Sequence, residues 1–401
     1  MSANRGKTYT AGRDCPQCGY SKFQSMFTFS DLQFYSDGIS RDEKRTDVCT
    51  VRCERCSLMF MNPVYSRVGF EALFEEAGMS YGSAPGRHNE QVEWLQDRGF
   101  LEVPFTLLDV GCYDGRFLAA VPSNGARFGV DADLGAIERA RSTDPEGTYI
   151  HSTFEELTTD DVRPSLITMF HVIEHVTEPL QVLRALRELC GSSTKFVLET
   201  PTMENSIRHI GDINGFFSVQ HLTHFTRASL RRMLITAGFT IEEWEEQEGY
   251  NGTRVTLSKA DSPSDPEISI LRNDLSMGHA YLAGWHGVIA RVLKRLESFP
   301  LSTGELIIWG AGMHTEIIFN FARQFWGDRN VTLVDGDPVK KGSYWRGLEV
   351  RSPKSLDWVD WCNSQLLISR YGSQEIILEE AAGLGIPRES IVTLYDSNAS
   401  Y

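Results

Sequence analysis

Leu107-Leu-Asp-Val-Gly-Cys-Tyr-Asp-Gly115 is an apolar run that breaks into a turn carrying two glycines and two acids. The run predicts a buried strand over Thr106–Val110, and the turn predicts entry into a helix over 115–121. Glycine at 111 and 115 lets the backbone approach a ligand closely, and the helix after Gly115 presents unpaired N–H groups. The acids then select the ligand. A dinucleotide site lays pyrophosphate on such a turn, and Asp109 and Asp114 would repel it. A cofactor with a positive amino group and a sulfonium would be drawn in, so the turn favours S-adenosylmethionine over NAD.

Working outward, the next strand, 127–130, ends in Gly129-Val-Asp131. Its carboxylate is placed to accept both ribose hydroxyls. His151-Ser-Thr-Phe154-Glu-Glu-Leu157 follows, where an adenine ring is bracketed. Further strands are expected at Leu166–Phe170 and 195–199, with helices at 134–141, 178–190 and 227–237, the last stopped by Gly238. Strands at 240–246 and 253–258 close the unit. Alternation of this kind implies a doubly wound, largely parallel α/β sheet. The expected cofactor set is Asp109, Gly111, Asp114, Gly115, Asp131, Phe154 and Phe170.

Five of the eight cysteines precede residue 57. Cys15-Pro-Gln-Cys18 and Cys53-Glu-Arg-Cys56 are two CxxC knuckles, and two knuckles complete a tetrahedron around zinc. Four thiolates leave no open position, so a structural zinc on Cys15, Cys18, Cys53 and Cys56 is expected. Cys49 is an alternative to Cys53 with poorer spacing. At the other end, the polar, proline-punctuated stretch 258–266 reads as a linker and 267–298 as a long helix. The strand Leu306–Trp309 then opens a second α/β unit. Its Gly310-Ala-Gly312 turn, with Thr315 at the third glycine's place and Asp335 closing the next strand, outlines a nucleotide site or a docking domain that binds nothing. The tryptophans at 345, 358 and 361 read as packing. The fold class is therefore α/β, a Rossmann-like methyltransferase-type domain between an N-terminal zinc-binding part and a second Rossmann-like domain. The expected divisions are 1–66, 67–260, 261–303 and 304–401.

The chain has 401 residues, 41% of them hydrophobic and 23% charged, as in soluble globular proteins. Its formal net charge of −15 and lack of a basic block argue against nucleic acid as a partner. No apolar run reaches membrane-spanning length, and Met1 to Lys7 lack a signal peptide's apolar core, so a cytoplasmic location is expected.

Residues 100 to 260 resemble the class I S-adenosylmethionine-dependent methyltransferases, through the 107–115 turn, Asp131, Phe170-His-Val-Ile-Glu-His-Val176 and Gln220-His-Leu-Thr-His-Phe-Thr-Arg-Ala-Ser-Leu230. With the knuckles before and the Gly310 turn after, the whole chain resembles the sugar C-methyltransferase family. That resemblance implies a deoxy-keto-sugar carried on a nucleotide as substrate. Tyr113, where most methyltransferases have glycine, suits that family. The family has Tyr-x-Glu-His where this chain reads Ser218-Val-Gln220-His221, while His175 matches a second family histidine.

The candidate bases are His175, His221, His171 and His224. Glu174 is a candidate to orient one of them, and Tyr81 or Tyr250 to supply a hydroxyl. Methyl transfer to oxygen or nitrogen needs only a mild base, which a histidine provides. The stretch 203–218 reads as a loop over the substrate, with Gly211 and Gly215 as lid glycines. The rival readings are an O- or N-methyltransferase of a glycan or natural-product intermediate, an NAD-binding oxidoreductase, and an inert zinc-ribbon docking protein.

Overall fold

A computed structural model describes residues 9–33, 44–77, 86–209, 211, 213, 215–246, 251–262, 272–297, 304–327, 329–338 and 340–396. Tyr81, Tyr250, the end of the 258–266 stretch and the first residues of the long helix lie outside the described residues.

At the centre is a seven-stranded sheet. From one edge its order is Phe239–Glu246, Thr253–Lys259, Lys195–Thr200, Leu166–Phe170, Thr106–Val110, Ala126–Asp131 and Thr148–His151. Thr253–Lys259 runs antiparallel to both neighbours, and the remaining pairs are parallel. The chain builds outward from Thr106–Val110 to Thr148–His151, then returns to build the other way from Leu166–Phe170. The reversal falls between Thr106–Val110 and Leu166–Phe170, which pair through Asp109 and Thr168. Such a switch point opens a crevice at the C-terminal strand ends. The central strands are near-continuous apolar runs because both faces are covered, with Leu107, Leu108, Val110, Ile167, Met169 and Leu198 almost fully buried. The helix Pro179–Leu189 buries Val182, Leu183, Leu186 and Leu189, one stripe at helical spacing.

The cysteine-bearing part builds an antiparallel sheet of Phe23–Gln33, Arg45–Cys53 and Met59–Met61. Its fourth strand, Thr223–His224, comes from the central unit, with Thr223 opposite Phe60 and His224 opposite Met59. A third sheet, of six strands, follows the long helix Arg272–Glu297. Its parallel part runs Leu348–Arg351, Val331–Val334, Leu306–Trp309, Gln365–Ile368 and Ile391–Thr393.

One apolar core joins the three. Phe29 and Leu32 from the first sheet, Phe216 and Phe217 from the central unit, Trp285 from the long helix and Ile317 from the C-terminal unit belong to it. The stretch 203–218 therefore differs from the loop read in the sequence. It begins as the helix Met203–His209, and Ile213, Phe216 and Phe217 are then buried. Trp285 donates its indole N–H to the Ile213 carbonyl at 3.0 Å. A Cβ on Gly211 would stand 2.4 Å from the Tyr371 hydroxyl, so this glycine serves close packing against the C-terminal unit. Among the described residues, no helix is long and apolar enough to cross a membrane.

Candidate active site and cysteine cluster

The turn after Thr106–Val110 places Gly111 at φ 77° and Gly115 at φ 76°, the left-handed region where a Cβ is strained. A Cβ on Gly111 would also lie 2.4 Å from Val172, and one on Gly115 2.9 Å from the Tyr149 hydroxyl. Both glycines are thus demanded by the fold's own packing. Tyr113 is held at φ 46° between them, and its N–H donates to Asp131 at 3.0 Å. The other Asp131 oxygen accepts from the Asp133 N–H at 2.9 Å. Burial nevertheless raises the Asp131 carboxyl above its ordinary range, against those backbone donors.

Asp109 is 4% exposed and accepts the Thr168 hydroxyl at 2.7 Å. Burial pushes it up to about 7, with Thr168 opposing and Asp131 adding to the rise. Asp114 is paired with Arg116 at 2.6 Å. Phe154 starts the short helix Phe154–Glu156 near the edge strand, and Phe170 ends its strand with its ring 5.1 Å from Phe117. The donor set at this sheet edge, with Asp109 and Asp131 on adjacent strands, fits a cationic adenosine cofactor and disfavours a pyrophosphate.

The four histidines gather beyond the same edge. His171 follows Phe170 at φ 55°, with Nε2 3.0 Å from Glu199 Oε1 and Nδ1 3.4 Å from Glu174 Oε1. His175 Nδ1 donates to the Gln220 carbonyl at 2.9 Å, and its Nε2 lies 3.8 Å from Glu174 Oε1. The His175 and His221 rings meet edge to face at 4.9 Å, and His224 lies 6.1 Å from His221. Glu174, His175 and His221 each bring one polar atom to within 4.8 Å of the others. Burial holds His221 well below its ordinary range, with the His175 charge adding to that, and holds His224 down at about 4 against Glu174. Burial would raise the Glu174 carboxyl, but His171 and the imidazoles of His175 and His221 outweigh it and hold it at about 2. Its Oε2 accepts the Thr200 hydroxyl at 2.9 Å. Its backbone carbonyl accepts the Leu222 and Thr223 N–H groups, which ties the two histidine-bearing segments together.

Some members of the site were not singled out in the sequence. Glu199 is fully buried and paired with Arg87, Arg254 and His171. An acid inside the apolar strand Lys195–Thr200 was the available signal, since a buried charge must be paired. Tyr281, from the long helix, lines a small cavity with Glu174, Ser206, His221, Thr223 and His224. Helical periodicity alone makes it a core residue.

In the N-terminal part, the Cys15 and Cys56 sulfurs lie 3.5 Å apart and those of Cys18 and Cys53 3.6 Å apart. Thiolates about 2.3 Å from a tetrahedral ion stand about 3.8 Å from one another. The residues present therefore fit a four-thiolate metal site. Cys49 stays outside, its sulfur 3.7 Å from the Ser25 hydroxyl. In the C-terminal unit, Asp335 accepts the Ala311 N–H at 2.8 Å and faces Lys340 at 3.2 Å, so its carboxylate is engaged by the chain itself. Thr315 bonds the Gly310 carbonyl and, at 2.7 Å, the Ser369 hydroxyl. Trp345 is buried against Trp326, whereas Trp358 is exposed.

Residues 86–243, which contain the acidic turn and the four histidines, match the model of a methyltransferase domain family. A probable S-adenosylmethionine-dependent methyltransferase of Mycolicibacterium smegmatis is 25% identical over 138 residues, 34% of this chain and 52% of that protein. The chain thus spans about half the length of this curated relative. Among solved structures, the magnesium protoporphyrin IX methyltransferase of Synechocystis, with bound S-adenosylmethionine, is 16% identical. It covers 48% of this chain and 92% of its own, with a TM-score of 0.35. An S-adenosylmethionine-dependent methyltransferase of Clostridium acetobutylicum is 7% identical, covering 48% and 98%, with a TM-score of 0.37.

Proposed function

We propose that the chain transfers a methyl group from S-adenosylmethionine to a small-molecule acceptor, a sugar or nucleotide-linked sugar, in the cytoplasm, with a structural zinc on Cys15, Cys18, Cys53 and Cys56. The observation that carries the transfer is the acidic edge, Asp109 and Asp131 beside the 111–115 turn, lying within the segment that matches a methyltransferase domain. The sugar rests on the resemblance in domain order and on the histidine pair His175 and His221.

When bound, the cofactor supplies a methyl group on a cationic sulfur. Asp131 would accept from the ribose hydroxyls and Asp109 would offer negative charge to the amino-acid end. Phe154 and Phe170 would cover the cofactor's apolar surface. His221, kept neutral by its surroundings, would accept the proton that the acceptor atom loses when the methyl group leaves sulfur for it, with S-adenosylhomocysteine as the leaving group. Glu174, which lies within 4.8 Å of His221 and His175, would stabilise the charge that forms there. The remaining contribution is positioning.

The test is incubation with methyl-deuterated S-adenosylmethionine and a panel of nucleotide-linked keto- and hydroxy-sugars, with products read by mass spectrometry. Label on a ring carbon or on oxygen supports the reading and assigns the acceptor atom. Absence of stabilisation by S-adenosylhomocysteine in a thermal melt overturns it, because a ligand that binds the folded state must raise its stability.

A further inference from the structure

Arg13, two residues before the first knuckle cysteine, reaches the histidine-bearing segments with its side chain. Its guanidinium donates to the Thr177 carbonyl, to the Leu222 carbonyl at 3.3 Å and to the Met61 carbonyl at 3.4 Å. Thr177 ends the segment that carries His171, Glu174 and His175. Leu222 follows His221 directly. Asn62 clamps the Arg13 backbone from both sides, at 3.0 and 3.1 Å. The same Leu222 carbonyl accepts the Met61 N–H at 2.9 Å, and Thr223–His224 completes the cysteine part's sheet. On the far side Arg232 donates to the Cys56 carbonyl at 2.9 Å. The acids of the cofactor edge, by contrast, hang on strands of the central sheet and on the turn's own bonds.

We propose that Arg13 is a positioning residue that couples the cysteine cluster to the His175–His221 pair, so that the metal sets acceptor chemistry and leaves cofactor binding alone. The proposal rests on the methyl-transfer reading for its kinetic consequence only. One side chain fixes the carbonyls of both histidine segments against a chain held by Asn62 and continuous with Cys15 two residues on, and a shift there changes the relation of the two rings. Misplacement of groups that orient a site costs roughly 10–100-fold.

The test compares wild-type protein, zinc-depleted wild type, Arg13→Ala and Arg13→Lys. S-adenosylhomocysteine affinity is read by calorimetry, ring resonances by NMR of histidine-labelled protein, and kcat and KM by product assay. In Arg13→Ala the expected result is an affinity within about twofold of wild type and kcat lower by roughly 10–100-fold. The His175 and His221 resonances move while that of His151 stays. Arg13→Lys, which reaches one carbonyl, recovers part of both. Zinc depletion moves the same two resonances. Unmoved resonances in Arg13→Ala or after depletion overturn the proposal, as does an affinity that falls in step with kcat. If Arg13→Ala does not fold, Asn62→Ala is read by the same criteria. If no acceptor is methylated, calorimetry and NMR still report the coupling, so the two readings fail separately.

Discussion

At the residue scale, His221 carries the proposed proton transfer because it is neutral and adjacent to Glu174 and His175. His221→Ala is expected to lower kcat by roughly 10²–10⁴-fold, leaving S-adenosylhomocysteine affinity within about twofold. Its held-down pKa also sets the pH profile. The base stays unprotonated below 6.5, so kcat at saturating S-adenosylmethionine and acceptor should be flat from pH 8 to pH 6, and a fall centred near 6.5 would remove His221 from that role. Asp109 gives a second pH signature. Its carboxyl, pushed up to about 7 by burial, is partly protonated at neutral pH and loses its proton when a cation arrives. S-adenosylmethionine affinity should rise between pH 6 and 8 with proton release. Calorimetry in buffers of different ionisation enthalpy checks this, and binding without proton exchange would count against Asp109 as its partner.

At the element scale, the helix Arg227–Thr236 links the histidine segment to the rest of the molecule. Thr226 accepts the Ser229 N–H at 3.0 Å and Ser229 accepts the Thr226 N–H at 2.8 Å, a reciprocal capping box. The Thr226 hydroxyl also donates to Asp274 on the long helix, and Asp274 pairs with Arg232 at 2.7 Å. Thr226→Ala should cost about 1–2 kcal/mol in denaturant unfolding, with Thr226→Ser near wild type. A loss below about 0.5 kcal/mol would show that the cap contributes little here. Much of this scale was legible in sequence. The strands Thr106–Val110, Leu166–Phe170 and Leu306–Trp309 are short apolar runs between turn residues, a signal that survives folding. The N-terminal strands Phe23–Gln33 and Arg45–Cys53 were not read, because their polar residues mask alternation and their partners are distant.

At the scale of the whole molecule, two buried neutral histidines tie stability to pH. His224 is held at about 4, and burial, helped by Arg370, holds His314 at about 3. His314 lies between Ser369 at 3.1 Å and the Tyr395 hydroxyl at 2.6 Å. In the unfolded chain both titrate near 6.5, so below that pH the unfolded state binds more protons and gains on the folded one. Their contribution is fully present above 6.5 and is lost as pH falls toward 4 and 3. Each adds a slope of about 1.4 kcal/mol per pH unit inside its window. Urea midpoints at pH 7 and pH 5 read the sum, and His314→Gln should flatten the dependence. Equal midpoints for wild type at the two pH values would contradict it.

The sequence by itself determined the doubly wound sheet, the acidic turn and the pairing of two CxxC knuckles, because each is written in neighbouring residues. A strand, its turn and the acid at its end lie within nine positions, and a knuckle within four. Tertiary structure alone decided what these parts are joined to. That Glu199 pairs with Arg87 and Arg254, that Tyr281 reaches the histidine cavity and that Arg13 grips Thr177 and Leu222 depends on contacts across 55 to 209 positions. No local pattern encodes such a contact. It exists only once burial of the shared core has fixed where each strand end lies.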